Sequence, residues 1–216
     1  MGLLRPAGIE ITSHAMELIA PENGAELLDI GCGDGTAAAA AAAAFGLRVS
    51  GVDIRPEAVE QARKNGVGAM VCDATRLDLP DESFDIVIME CVFSILERPE
   101  EAIREARRVL RPGGAFVISD LFCRNACAAV ISGNSGYVRE GGTVLPKLEK
   151  LLTETGFELQ TIEDRTADLK ESLGQIIFDH GSLEAWFQKS GGWRCKCTPG
   201  KGTGYFLMIS RRKADL

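Results

Sequence analysis

The sequence predicts an α/β protein: a doubly wound, mostly parallel, seven-stranded sheet with helices on both faces. Three observations predict it. Short apolar runs alternate with helix-patterned stretches along most of the 216 residues. A glycine-rich turn, Gly31-Cys32-Gly33-Asp34-Gly35, joins the first run to the first long helical stretch. The run at 84–89 is nearly all apolar, as a strand buried on both faces must be. Repeated strand–helix alternation gives parallel strands joined by right-handed crossovers.

The elements follow in order. A helix around His14 precedes the first strand, 26–30. Residues 36–45 hold eight consecutive alanines and form a helix, since alanine has the highest helix propensity. A strand at 47–52 leads to a helix at 56–65, opened by Pro56 in its first turn. Strands follow at 68–72 and 84–89. The helix at 99–110 carries apolar Ala102, Ile103, Ala106, Val109 and Leu110 on one face. Arg111-Pro112-Gly113-Gly114 should break it before a fifth strand at 115–120. The stretch 121–145 reads as irregular. A helix at 146–155, a strand at 157–164, a helix over 169–189 broken near Gly181, and a last strand at 205–211 complete the chain. The last two strands are candidates for antiparallel pairing.

Composition bounds the function. With 45% hydrophobic and 25% charged residues, the chain is an ordinary globular one. Its length suits one domain, 1–216, which needs no disulfide or metal to hold a core. The net charge of −7 argues against a nucleic-acid partner. No apolar stretch is long enough to span a membrane, and residues 1–10 lack the apolar segment of a secretion signal. Seven scattered cysteines suit free thiols in a reducing cytoplasm.

The chemistry concentrates at the glycine turn. Helix N-terminal N–H groups and glycine backbone allow a ligand to approach closely. Asp53, ending the second strand, is placed to bind ribose hydroxyls. A dinucleotide fingerprint would need glycine where Thr36 stands, and Asp29 and Asp34 would repel a pyrophosphate. That disfavours a nucleotide-dependent oxidoreductase. The same acids suit a ligand with a sulfonium and a free ammonium, S-adenosylmethionine.

Five motifs in sequence carry a family resemblance: Leu28-Asp29-Ile30-Gly31-Cys32-Gly33-Asp34-Gly35; Val52-Asp53-Ile54; Cys72-Asp73-Ala74; Leu79-Pro80-Asp81-Glu82-Ser83-Phe84-Asp85-Ile86-Val87; and Arg108-Val109-Leu110-Arg111-Pro112-Gly113-Gly114. Over roughly 25–120 the chain resembles a class I S-adenosylmethionine-dependent methyltransferase of the small-molecule, methyltransferase type 11-like kind, with its Rossmann-like fold. The resemblance implies a cofactor-binding core at 25–120 and substrate or lid elements at 1–12 and 121–145. It implies that Asp29 and the Gly31 backbone hold the methionine ammonium, with Cys32, Gly33 and Gly35 shaping the loop. Asp53 would take the ribose diol and Ile54 would pack on adenine. Asp73 would accept the adenine amino group beside the Ala74 N–H, unless it only starts a turn. Glu90 would line the methionine end. The implied acceptor is a small molecule and the implied activity is in-line methyl transfer. A silent S-adenosylmethionine-binding module and a thiol or metalloid methyltransferase remain alternatives.

Catalytic residues are not evident. Where many relatives carry a histidine after the fourth strand, this chain reads Glu90-Cys91-Val92-Phe93-Ser94-Ile95-Leu96. The only histidines are His14 and His180, so Glu90 is the best acidic candidate. Arg5-Pro6-Ala7-Gly8 could form a lid; Tyr137 and Arg139 could meet substrate or form a solvated loop. The Cys123/Cys127 and Cys195/Cys197 pairs could capture a metalloid, as in arsenite methyltransferases, or form a redox pair, or be inert. Neither pair has zinc spacing, so no metal site is assigned. Cys32, Cys72 and Cys91 read as packing residues.

Overall fold

The strand–helix repeats form in the expected order. The computed structural model describes residues 6–123, 138–139, 142–182, 185 and 202–214. Its elements are α1 (Glu10–Ile19), β1 (Glu26–Ile30), α2 (Thr36–Phe45), β2 (Arg48–Asp53), α3 (Pro56–Lys64), β3 (Gly68–Val71) and β4 (Phe84–Glu90). After a short 3-10 turn (Phe93–Ile95) come α4 (Pro99–Val109), β5 (Leu110–Cys123), β6 (Val138–Arg139), β7 (Gly142–Thr143), α5 (Leu145–Glu154), β8 (Phe157–Asp164), α6 (Thr166–His180) and β9 (Thr203–Arg212).

The principal strands lie in the order β3-β2-β1-β4-β5-β9-β8. The first five are parallel, whereas β9 runs antiparallel to both β5 and β8. The expected mixed seven-stranded sheet is therefore present, with the β6–β7 hairpin attached where Phe122 meets Thr143. That hairpin and the extension of β5 to Cys123 bring order into part of the stretch expected to be irregular.

Alternation along each strand splits the core into two layers. Phe116, Ile118 and Phe122 of β5 join Val87 and Met89 of β4 under α4 and α5. Ala115, Val117 and Leu121 join Ile86 and Ile88 on the other face, under α1 and α6. The α4 helix shows why sequence pattern sufficed. Ala102, Ile103, Ala106 and Val109 are buried, Glu100 and Glu101 sit in its first turn, and Arg107 and Arg108 sit in its last. The charges complement the helix dipole. The polyalanine of α2 buries Ala37, Ala38 and Ala41, whose small side chains let the helix lie close to its neighbours.

Most boundaries shift by one or two residues, and the starts of β5 and α6 depart further from expectation. Arg111-Pro112-Gly113-Gly114 ends α4 but does so within β5, as a bulge. Phe84 pairs with Leu110, and Ile86 next pairs with Ala115. Gly114 lies so close to β4 that a Cβ there would stand 3.0 Å from the Asp85 carbonyl oxygen. α6 starts at Thr166, earlier than the apolar pattern indicates, because Asp164 Oδ1 accepts from the Thr166 amide at 3.0 Å and fixes the turn. It ends at His180 before left-handed Gly181.

Phe157 at the start of β8 is fully buried, its ring 5.2 Å from that of Phe116. Phe157→Ala should lower the unfolding free energy by about 3–5 kcal/mol. Urea denaturation checks this; a loss below about 1 kcal/mol would contradict close packing at this point.

Candidate active site

Asp53 is the last residue of β2, Glu90 the last of β4, and Gly31 directly follows β1. β1 lies between β2 and β4, so the crossover direction reverses there. Open α/β sheets leave their ligand crevice at that point, beyond the carboxyl ends of the strands. The turn after β1 takes left-handed backbone at Gly31, Gly33 and Gly35 (φ +78°, +57° and +75°). The Gly31 and Cys32 amides donate to the Val52 carbonyl at 2.7 and 3.0 Å, which fastens the turn to β2. A Cβ on Gly31 would come within 2.2 Å of Val92 Cγ2, so the segment after β4 crosses directly over this glycine.

Three carboxylates are buried at this edge: Asp29, Asp53 and Glu90. Asp53 Oδ2 accepts from the Gly33 amide at 3.0 Å and from Arg55 Nη2 at 3.1 Å. Its Oδ1 accepts from the Arg55 amide and Arg55 Nε, both at 3.0 Å. Burial alone would raise its pKa. The Arg55 side-chain and backbone hydrogen bonds, helped by the Gly33 amide, outweigh burial and hold it below the usual value. Glu90 accepts from Thr12 Oγ1 of α1 at 2.9 Å, which joins the N-terminal helix to the crevice.

Further along, Asp73 Oδ1 accepts from both the amide and the hydroxyl of Thr75 at 2.8 Å. It does start a turn, and those bonds lower its pKa despite some burial. Ala74 packs against the core below. Ile54 is 64% exposed at the end of β2, an apolar side chain presented outward beside the crevice.

A second polar group lies under the segment after β4. Asp120 of β5 is buried, with Oδ2 accepting from the Ser94 amide at 2.8 Å and Oδ1 from the Leu121 amide at 2.7 Å. On the opposite face, the Tyr205 hydroxyl donates to Ser119 Oγ at 3.1 Å and lies 3.5 Å from Cys91 Sγ. Cys91 itself is left-handed at φ +55°. Burial drives the Tyr205 pKa well up.

Residues 28–118 match the family described as "Methyltransferase domain". The chain is 33% identical to 27-O-demethylrifamycin SV methyltransferase of Amycolatopsis mediterranei, over 97% of this chain and 85% of that enzyme. This chain belongs to the class I S-adenosylmethionine-dependent methyltransferases. It is also 26% identical to phosphoethanolamine N-methyltransferase 3 of Arabidopsis thaliana, spanning 90% of this chain but 43% of that protein. Among solved structures, the 4+2 cyclase SpnF aligns with a TM-score of 0.76 at 25% identity, over 96% of this chain and 82% of that one. A Haemonchus contortus phosphoethanolamine N-methyltransferase in complex with S-adenosylmethionine aligns with a TM-score of 0.77 at 23% identity, over 98% of this chain and 54% of that one.

The methyltransferase uses S-adenosylmethionine, and the crevice fits it. Buried acids suit a cationic ligand, and the glycine turn leaves room for a close backbone approach. The sequence-expected residues Asp29, Gly31, Cys32, Gly33, Gly35, Asp53, Ile54 and Glu90 gather around the ends of β1, β2 and β4. Asp73 and Ala74 follow β3. Cys32 is buried against Gly51, where a Cβ would meet its Sγ at 2.7 Å. Burial, with Asp29 and Asp53 nearby, pushes its thiol to about 12, so it packs rather than reacts. His14 faces the edge of the sheet instead, its Nε2 2.9 Å from Glu163 Oε2 of β8.

Arg5, Cys127, Tyr137, Cys195 and Cys197, and the side chain of Arg139, lie outside the described residues. Among the described residues no His, Cys, Asp or Glu group is arranged to hold a metal ion. No described helix is long and apolar enough to cross a membrane. A cavity of about 820 Å³ lies at the other end of the sheet, lined by Arg104, Arg107, Arg108 and Arg212 with Asp81, Glu82 and Glu154. Its charges largely pair with one another, as Arg108 does with Asp81 and Arg212 with Glu82. It is remote from the crevice.

Sequence reasoning placed Thr12 in the 1–12 element and Ser94 in the segment after the fourth strand but assigned neither a partner, and it did not single out Asp120. Only an acid at the end of an apolar run hinted at the last. Burial raises the Asp120 carboxyl from the ordinary 3.8 to about 6, against the pull of the Ser94 and Leu121 donors. Its stabilising protonated form is fully present below pH 3.8 and is lost as pH rises through about 6. Between about pH 3.5 and 7.5 the wild type should lose about 2–3 kcal/mol of stability relative to Asp120→Asn. Parallel stability–pH curves for the two proteins in urea would contradict this.

Proposed function

We propose that this enzyme transfers the methyl group of S-adenosylmethionine to a small-molecule acceptor, with 1–216 acting as one catalytic unit. The observation that carries the reading is the meeting of Asp29, Asp53 and Glu90 around the glycine turn at the sheet's switch point. The names of the similar methyltransferases, which modify a rifamycin precursor or phosphoethanolamine, support a small acceptor. The charge of −7 supports the same reading and disfavours a nucleic acid. Location in the cytoplasm accords with the scattered thiols.

When bound, S-adenosylmethionine supplies a sulfonium methyl with an excellent leaving group. The protein's task is then to bind, align and exclude water. In this reading Asp29 and the Gly31 backbone hold the ammonium, and Cys32, Gly33 and Gly35 curve beneath the ligand. Asp53 receives the ribose diol, and Ile54 covers one face of adenine. Asp73 keeps the adenine amino group in place with an oxygen outside its turn, beside the Ala74 amide. Glu90, held by Thr12, lines the methionine end as a positioning carboxylate rather than a base. Acceptor-side contacts come from 1–12 and 121–145, since β7 ends that stretch beside β5.

Calorimetry tests the reading. S-adenosylmethionine should bind and NAD should not. Asp53→Ala should cost about 1–3 kcal/mol of S-adenosylmethionine binding, the worth of hydrogen bonds to a charged group. Unchanged affinity in Asp53→Ala would remove Asp53 from the site.

A further inference from the structure

Asp53 already uses its hydrogen-bonding capacity. A carboxylate offers about four lone-pair directions. Here four N–H groups fill them: Gly33 and Arg55 from the backbone, and Nε and Nη2 of Arg55 from the side chain. The fork is nearly planar in its demand, one nitrogen to each oxygen, which is the strong bidentate form of the interaction. A ribose diol donating two hydroxyls to this carboxylate needs two of those directions. The two backbone donors are fixed by the glycine turn and by Arg55 standing just before Pro56, where extended backbone is favoured. The two side-chain donors are not fixed. The Arg55 side chain is 28% exposed, so it has a route to water, whereas the Asp53 side chain is 5% exposed. Arg55 Nη2 also lies 4.0 Å from where a Cβ on Gly33 would stand, so the guanidinium reaches across to the turn itself.

We propose that Arg55 is a latch on the cofactor site: its guanidinium holds the Asp53 carboxylate in the free enzyme and must swing into solvent for the ribose diol to bind. The inference rests on the reading of Asp53 as the ribose acceptor. The latch keeps a buried carboxylate satisfied without ligand, at the cost of competing with the ligand. Arg55 is thus a residue that sets cofactor affinity downward, toward exchange of product for fresh donor.

Calorimetric titration of the full chain decides it, with S-adenosylmethionine and S-adenosylhomocysteine as probes. The two share the ribose and differ in the positive sulfur. Arg55→Met keeps the length of the stem and removes the fork. It should bind both probes about three- to tenfold more tightly, by the same factor. Arg55→Lys, which offers one point donor in place of the fork, should fall between Met and wild type. A gain for S-adenosylmethionine alone would reveal charge repulsion with the sulfonium and overturn the latch. No gain, or a loss, for both probes in Arg55→Met would also overturn it. Asp53→Ala separates the two layers of argument: if it binds both probes as wild type does, the ribose reading itself fails. If it loses binding while Arg55→Met gains nothing, only the latch fails.

Discussion

The turn from β1 into α2 must reverse the backbone into left-handed conformation three times within five residues, and it must do so under a roof. Val92 crosses Gly31 from above, while Ala62 and Val67 press on Gly35 from below, where a Cβ would stand 3.0 Å from Ala62 Cβ and 2.9 Å from Val67 Cγ2. A side chain at either glycine would meet both a strained φ and an occupied space. The turn is therefore fixed by packing as much as by conformational freedom. Because it is fixed, the amides of Gly31 and Cys32 settle on the Val52 carbonyl, and the Gly33 amide reaches Asp53. The position of β2 relative to β1, the start of α2 and the shape of the crevice all follow from it.

Charge is the second constraint. Burying carboxylates is expensive unless each is hydrogen-bonded. Asp53 meets the cost with four donors and Glu90 with the hydroxyl of Thr12. The Arg55 guanidinium offsets one of the three acids at this sheet edge; the amide and hydroxyl donors do not cancel the negative charge that remains. A ligand carrying a sulfonium and an ammonium completes the electrostatics in a way that a pyrophosphate could not. The same logic places the arginine fork on Asp53, where it compensates a buried carboxylate.

What was legible in the sequence was local. β1, α2 and β8 begin and end where pattern alone placed them, because alanine content, a glycine turn and flanking breakers are written within a few residues. For the same reason the first two motifs fall where β1 and β2 end, at the glycine turn and Asp53. The rest depends on contacts that composition does not encode. Thr12 meets Glu90 across 78 positions of sequence, and Asp120 meets Ser94 across 26. The start of β5 at Leu110 was hidden because Pro112 and two glycines mimic a turn, while Asp85 and Gly114 in fact pack side by side as a bulge. Arg55 is only two residues from Asp53, yet its reach back to that carboxylate depends on a rotamer, and rotamers are not visible in a pattern.

The N-terminal helix shows how the two constraints join. α1 contributes Ile11, Ala15, Met16 and Ile19 to the core layer beneath it, which alone would make it a structural helix. The same turn of helix that buries Ile11 also buries Thr12, and Thr12 holds the last residue of β4. Two residues on, His14 holds Glu163 at the far side of the sheet. The N-terminal half of the helix thus ties β4 to β8, through Thr12 and His14, while its apolar face packs on the sheet. Glu90 stands at the point where β4 stops and the segment over Gly31 begins, so the Thr12 hydrogen bond ties α1 to that segment. The apolar face fixes where α1 lies, and the tie from Thr12 makes that position matter to the site.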